Sequence, residues 1–221
     1  MELKGKTINF LGDSITQGVG ASEDKYRYVD QVAELTGAVC RNYGVSGTRI
    51  SEQPDPSPSD KLEYDYDFLS RAKTMEDADI VVVFGGTNDF GHGFAPIGGM
   101  EDRSTKTFYG ALHSLLIYLM ERFPKAQLVM MTPLHRLNEN NPMGDGGTRK
   151  TVATGILKDY VVAEREVAEY YSIPVLDLFA VSGIQPSVEV NRELYLPDGL
   201  HPSDLGHRII AEKLVNFMNT L

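Results

Sequence analysis

Ser14 lies in Gly12-Asp13-Ser14-Ile15-Thr16, directly after the apolar run 8–11. A hydroxyl at the point where a chain leaves a strand can be aimed at a bound molecule. At neutral pH it is a poor nucleophile until a neighbouring base takes its proton as the new bond forms. Near the other end of the chain, Asp198-Gly199-Leu200-His201-Pro202 supplies a carboxylate and an imidazole three residues apart. An imidazole, with a reference pKa of about 6.5, is suited to take that proton and then hand it to a leaving alkoxide. A carboxylate on its other ring nitrogen fixes the tautomer and stabilises the imidazolium. Ser14, His201 and Asp198 therefore read as nucleophile, general base and orienting carboxylate of one site assembled from distant parts of the chain.

The elements that must hold them follow from hydrophobic patterning. Short β-rich apolar runs at 7–11, 38–42, 80–84, 127–131 and 174–178, each bounded by Gly, Pro or polar residues, read as buried strands. Helical stretches are expected at 26–35, 66–75, 106–122, 148–171 and 202–218. In the third of these Phe108, Leu112, Leu115, Leu116 and Leu119 follow a 3.6-residue repeat, so one face should pack on the sheet. Alternation of strand and helix implies an α/β fold, with a parallel sheet, right-handed crossovers and helices on both faces. A Pro-rich loop at 52–60 and long connections at 91–102 and 134–147 interrupt the rhythm. Loops at the carboxyl ends of parallel strands surround the ligand crevice in such sheets.

Four blocks stand at strand ends or in the closing turn: Gly12-Asp13-Ser14, Asn42-Tyr43-Gly44-Val45-Ser46-Gly47, Gly85-Gly86-Thr87-Asn88-Asp89 and Asp198-Gly199-Leu200-His201-Pro202. In this order and at these distances they resemble the SGNH (GDSL) hydrolase family, from the first strand to the last helix. The resemblance implies a flavodoxin-like, doubly wound, five-stranded parallel sheet bearing an ester hydrolase site. Ser14 matches the nucleophile, His201 the base and Asp198 its orienting residue, while Gly47 and Asn88 match the oxyanion donors that join the Ser14 N–H. The residue types suit those roles. Gly47 has no side chain to block a close approach, and Asn88 carries an amide that donates without charge. If Ser14 opens a helical turn, its N–H lies at the positive end of the helix. Thr16 stands where a Gly-x-Ser-x-Gly elbow has its second glycine, which speaks against an α/β-hydrolase proper.

Local readings compete with some of these assignments. Asp13 or Ser14 could cap a helix, and Ser203 or Asp204 could cap the last one, a turn that does not conflict with catalysis. Asp13, Asp89, His92, His135 and Arg136 are candidates for lining the crevice and touching substrate, or else loop residues satisfied by backbone carbonyls. Tyr64, Tyr66 and Phe68 alternate with acids as an exposed segment would, with Phe68 as a core residue. His113 and His207 read as structural, and Cys40 as a small apolar side chain.

Formal charge is −10, from 21 Lys+Arg against 31 Asp+Glu scattered along 221 residues. That disfavours nucleic acid or an anionic membrane as partner. The single cysteine excludes an internal disulfide, no His or carboxylate spacing suggests a metal, and no P-loop lysine or Gly-x-Gly-x-x-Gly suggests a nucleotide. One domain over 1–221, no cofactor, no membrane insertion and a cytoplasmic location are expected, with self-association left open. The expected function is hydrolysis of a small-molecule ester, of acetyl type on a carbohydrate or small alcohol, by way of an acyl-enzyme. A lysophospholipase or thioesterase is the alternative within the enzyme class. A non-catalytic carbohydrate-binding module is the alternative outside it.

Overall fold

Five strands, β1 (Thr7–Gly12), β2 (Val39–Gly44), β3 (Ile80–Phe84), β4 (Gln127–Met131) and β5 (Val175–Leu176), pair in the order β2-β1-β3-β4-β5. Every pairing is parallel. The structure, a computed structural model, describes residues 2–53, 66–145, 150 and 152–221. Its helices are α1 (Ser14–Gln17), α2 (Tyr28–Thr36), α3 (Phe68–Ala72), α4 (Thr87–His92), α5 (Phe108–Arg122), α6 (Leu157–Tyr170), α7 (Leu178–Val181), α8 (Glu189–Tyr195) and α9 (Asp204–Met218). A 3₁₀ turn, Asp24–Tyr26, precedes α2.

Side chains alternate across the sheet as the two-residue period of a strand requires. Ile8, Phe10, Ile80, Val82, Phe84, Val129 and Met131 join α2 and α9 in one core. Leu11, Val81, Val83, Leu128 and Met130 join α3, α5 and α6 in the other. Burial on both faces explains why β3 is an unbroken apolar run. On α5 the Thr107 hydroxyl accepts from Gly110 N (3.1 Å) to cap the start. Leu112, Leu115, Leu116 and Leu119 are then buried against the sheet, each contributing roughly 1.5–3 kcal/mol.

Strands β3 and β4 match their expected bounds residue for residue. Others depart for identifiable reasons. Strand β2 is half exposed rather than buried, because it is the sheet edge; Val39 faces solvent. Cys40 on that strand is intermediate in exposure, and burial of its thiol pushes the pKa up to about 12, so it stays protonated. Strand β5 stops at Leu176 because Asp177 turns the chain, accepting from Thr132 Oγ1 (2.9 Å) and from Ala180 N (3.2 Å) to cap α7. The helix expected from 148 begins only at Leu157. Gly155 has φ of +123°, and the Asp159 carboxylate accepts from Ile156 N (2.9 Å) just before the first turn. Helix α3 is shorter than expected at both ends. Most of the Pro-rich loop, and Tyr64, lie outside the described residues; Phe68 is fully buried and Tyr66 exposed.

The chain runs from β1 outward to β2 and then returns across β1 to β3. That reversal makes a crevice at the carboxyl ends of β1 and β3, the place where open parallel sheets bind ligands.

Candidate active site

Gly12 ends β1, and a Cβ there would fall on the Thr16 side chain and 2.9 Å from Phe84 O. The absent side chain lets the chain turn at once into α1. Asp13 caps that turn, its Oδ1 accepting from Ile15 N (3.0 Å). Ser14 is the first residue of α1, so its N–H has no intrahelical acceptor. Thr16 Oγ1 shares a hydrogen bond with Tyr28 OH (2.9 Å), and Thr16 O accepts from Asn42 Nδ2 (2.7 Å). The short helix is thereby fixed to α2 and β2.

Ser14 Oγ donates to His201 Nε2 at 3.1 Å, and His201 Nδ1 donates to Asp198 Oδ2 at 2.7 Å. A carboxylate can only accept, so it requires the proton on Nδ1 and leaves the Nε2 lone pair facing the hydroxyl. The other carboxylate oxygen, Asp198 Oδ1, accepts from Leu200 N (2.8 Å) and His201 N (2.7 Å). Partial burial works to raise the Asp198 pKa, yet the hydrogen bonds from His201 and Leu200 and the charge of His201 outweigh it. The carboxyl is held below its ordinary range. The turn is braced by Leu137 N donating to Gly199 O (2.9 Å), and Ser203 caps α9.

Opposite the hydroxyl, the 45–51 loop is tied to the end of β1 and to α1. Val45 N donates to Gly12 O (3.1 Å), and Ser46 N and Oγ donate to Gln17 Oε1 (2.7 and 2.6 Å). Gly47 has φ of +77°, a region that penalises any side chain. No described residue accepts from its N–H. Asn88, in the first turn of α4, donates from Nδ2 to Thr48 O (3.0 Å). Asp89 fastens the same loop from below. Its Oδ2 accepts from Ile50 N (2.9 Å), and its Oδ1 accepts from Ser51 N (2.9 Å) and the Ser51 hydroxyl. Burial raises its pKa against those bonds.

These elements enclose a crevice of about 240 Å³ lined by Ser14, Val19, Ser46, Gly47, Asn88, His92, Asp145, Leu200 and His201. Of the five candidate substrate-touching residues, His92 is on its wall. Asp13 is buried behind Ser14, where desolvation pushes its pKa up to about 6 against the Ile15 N–H and the His201 charge. Asp89 is buried with both oxygens spent on the loop. His135 bonds Glu139 (2.9 Å) and packs on Phe179 (3.8 Å between centroids), away from the crevice residues. Arg136 is buried over the Phe90 ring, donates to Thr87 O (3.2 Å) and pairs with Asp145. Asp145 and Val19 are wall residues that sequence reasoning missed; the long connection after β4 pointed to the loop of Asp145, but Gly144-Asp145 reads as an ordinary turn. His113 and His207 are fully buried. Among the described residues no group of three or more His, Cys, Asp or Glu is arranged to hold a metal, and no helix is long and apolar enough to cross a membrane.

Comparison with known proteins gives the family. Residues 10–209 match the GDSL-like Lipase/Acylhydrolase family. A solved structure from Lactobacillus plantarum is 29% identical, with 98% of each chain covered and a TM-score of 0.81. Another, 33% identical over 100% of this chain and 99% of the other, has a TM-score of 0.84. The lipase/acylhydrolase from Enterococcus faecalis shares the fold at 21% identity and a TM-score of 0.61, covering 96% of this chain and 94% of its own. The comparison with curated proteins found no match. A sheet of this order and a family match across most of the sequence establish that the chain belongs to the GDSL-like lipase/acylhydrolase family.

Proposed function

We propose that this acylhydrolase is a serine esterase that removes a small, acetyl-type acyl group from a carbohydrate or small alcohol. The observation that carries the reading is the hydrogen-bonded row Ser14–His201–Asp198 facing Gly47 and Asn88 across one crevice. Ser14 Oγ attacks the ester carbon while His201 Nε2 takes its proton. The carbonyl oxygen, now an anion, meets the Ser14 and Gly47 N–H groups and the Asn88 amide, each such donor contributing about 3–4 kcal/mol to transition-state stabilisation. The C–O bond to the alcohol breaks as His201 returns the proton to the leaving oxygen. Water, deprotonated by the same imidazole, then releases the acid and restores Ser14. No step calls for a cofactor, and the working unit is one domain over residues 1–221.

The crevice, at about 240 Å³, lies just below the usual range for ligand pockets of roughly 300–1,000 Å³. Among the described residues its aliphatic side chains are Val19 and Leu200. Both features favour a short acyl chain over the extended groove that a lysophospholipase or long-chain thioesterase would need. The test is kcat/KM along nitrophenyl esters from acetate to octanoate and on acetylated sugars, each beside Ser14→Ala. Acetate should be the preferred acyl group and the variant inactive. A preference for octanoate would favour the long-chain reading, and equal rates for parent and variant would remove Ser14 as nucleophile and return the binding-module reading.

A further inference from the structure

Asn88 can present either end of its carboxamide to the crevice, and the two ends have opposite effects. The N–H end stabilises an oxyanion; the oxygen end repels it. Two side chains, Arg49 and His92, stand in a row with Asn88. Arg49 Nη1 lies 2.8 Å from His92 Nδ1, and His92 Nε2 lies 3.2 Å from Asn88 Oδ1. A guanidinium donates only, so Nδ1 must accept and the ring proton sits on Nε2. Nε2–H then donates, so the amide oxygen must be the atom turned to it. From the other side Thr48 O, which only accepts, takes one hydrogen of Asn88 Nδ2. Both constraints require the same orientation and leave the second amide hydrogen for the crevice.

We infer that His92, set by Arg49, is a positioning residue that fixes the Asn88 carboxamide with its N–H toward the developing oxyanion. Arg49 is buried and lies two residues after Gly47, with Thr48 between them. The loop that carries one donor therefore also orients the other. The inference rests on the oxyanion role of Asn88 proposed above. It differs from a reading in which His92, which is on the crevice wall, binds substrate directly.

A double-mutant cycle on 4-nitrophenyl acetate separates these cases, with kcat and KM measured for the full chain and for N88A, H92A and H92A/N88A. N88A should lower kcat by about 10²–10³-fold. H92A should lower kcat about tenfold with KM changed by less than about twofold, and in the N88A background it should cost less than about twofold. H92Q, whose amide N–H can still meet Asn88 Oδ1, should regain most of the kcat. Thermal melts check folding, and H92F, which fills the same space without a donor, repeats the cycle should H92A melt early. Equal losses from H92A in both backgrounds, or a raised KM at constant kcat, would overturn the positioning role while leaving Asn88 in place. An N88A enzyme with undiminished kcat would instead overturn the oxyanion assignment, and the relay with it.

Discussion

His201 Nε2 stands 3.1 Å from the Ser14 hydroxyl across 187 positions of chain. A clamp beside the site accounts for their meeting. Asp204, in the first turn of α9, accepts from Ser22 N (2.8 Å) and Ser22 Oγ (2.6 Å), binding the segment after α1 to the segment after His201. Beneath it His207 accepts at Nδ1 from Tyr28 N (3.3 Å), donates from Nε2 to Val19 O (3.4 Å) and stacks on the Tyr28 ring. Tyr28 in turn holds Thr16 of α1. Ser14 and His201 thus share one pedestal of α1, α2 and α9.

His207 makes that pedestal sensitive to acid. Burial lowers its pKa from 6.5 to about 4, against the pull of the Val19 carbonyl and Asp204. Between those values the unfolded chain binds a proton that the folded chain refuses, so stability rises with pH through the window. The contribution is complete above about 6.5 and is lost as pH falls to about 4, on the order of 3 kcal/mol. Urea denaturation at pH 7 and pH 4.5 should show this fall, and His207→Phe should flatten it. An equal fall in the variant would assign the acid lability to other groups.

Asp198→Asn keeps the shape of the turn but replaces an acceptor with a group that can donate to His201 Nδ1. The imidazole would then adopt the tautomer with its proton on Nε2, facing Ser14 with a donor. kcat should fall by about 10²–10⁴-fold with little change in KM. Steady-state kinetics on a short-chain ester decide it, and a variant within about threefold of the parent would make Asp198 a turn residue alone.

Much of this arrangement was readable from residue type because Ser14 and Asn88 lie just beyond the ends of β1 and β3, where Gly12 and Gly86 mark abrupt changes of direction. Ser14, His201 and Asp198 needed only their nature and their flanking patterns to be singled out. Strands β3 and β4 were readable to the residue because burial on both faces leaves unbroken apolar runs between polar ends. The edge position of β2 was hidden, since strand order is decided by packing far from residues 39–44. Asp145 and Arg49 were hidden for a related reason: each matters through a partner, Arg136 or His92, distant in sequence and brought near by loops with no periodicity. The role of Asp89 was likewise invisible, because a carboxylate beside Asn88 gives no sign of whether it faces the crevice or the loop beneath.

Asp89 should be tested as the fastener of the 45–51 loop. Its three acceptor bonds to Ile50 and Ser51 are all lost in Asp89→Ala, and the two backbone N–H groups lose their partner in a buried setting. Leaving buried donors unpaired costs about 1–3 kcal/mol each, so the variant should be less stable by roughly 2–6 kcal/mol. With the loop loosened, the Gly47 N–H is no longer held and kcat should drop as well. Melting curves and kinetics together test this; full activity at lowered stability would show that the loop keeps its shape unaided.

On the proposed reading of a carbohydrate or small-alcohol ester, Asp145 is placed to meet the alcohol. One oxygen is engaged by the buried Arg136, which also donates to Thr87 O and Oγ1. The pairing anchors the carboxylate while its side chain stays 36% exposed on the crevice wall. Its other oxygen receives no hydrogen bond from any described residue and is suited to accept one from a substrate hydroxyl. A hydrogen bond to a charged group contributes about 1.5–3 kcal/mol, so Asp145→Ala should lower the ratio of kcat/KM for an acetylated sugar over 4-nitrophenyl acetate by about tenfold or more. The aromatic ester has no hydroxyl to offer and serves as the internal reference. Asp145→Asn, which keeps an uncharged acceptor, should fall between the two. A ratio that stays constant in both variants would mean that Asp145 meets solvent rather than the leaving alcohol.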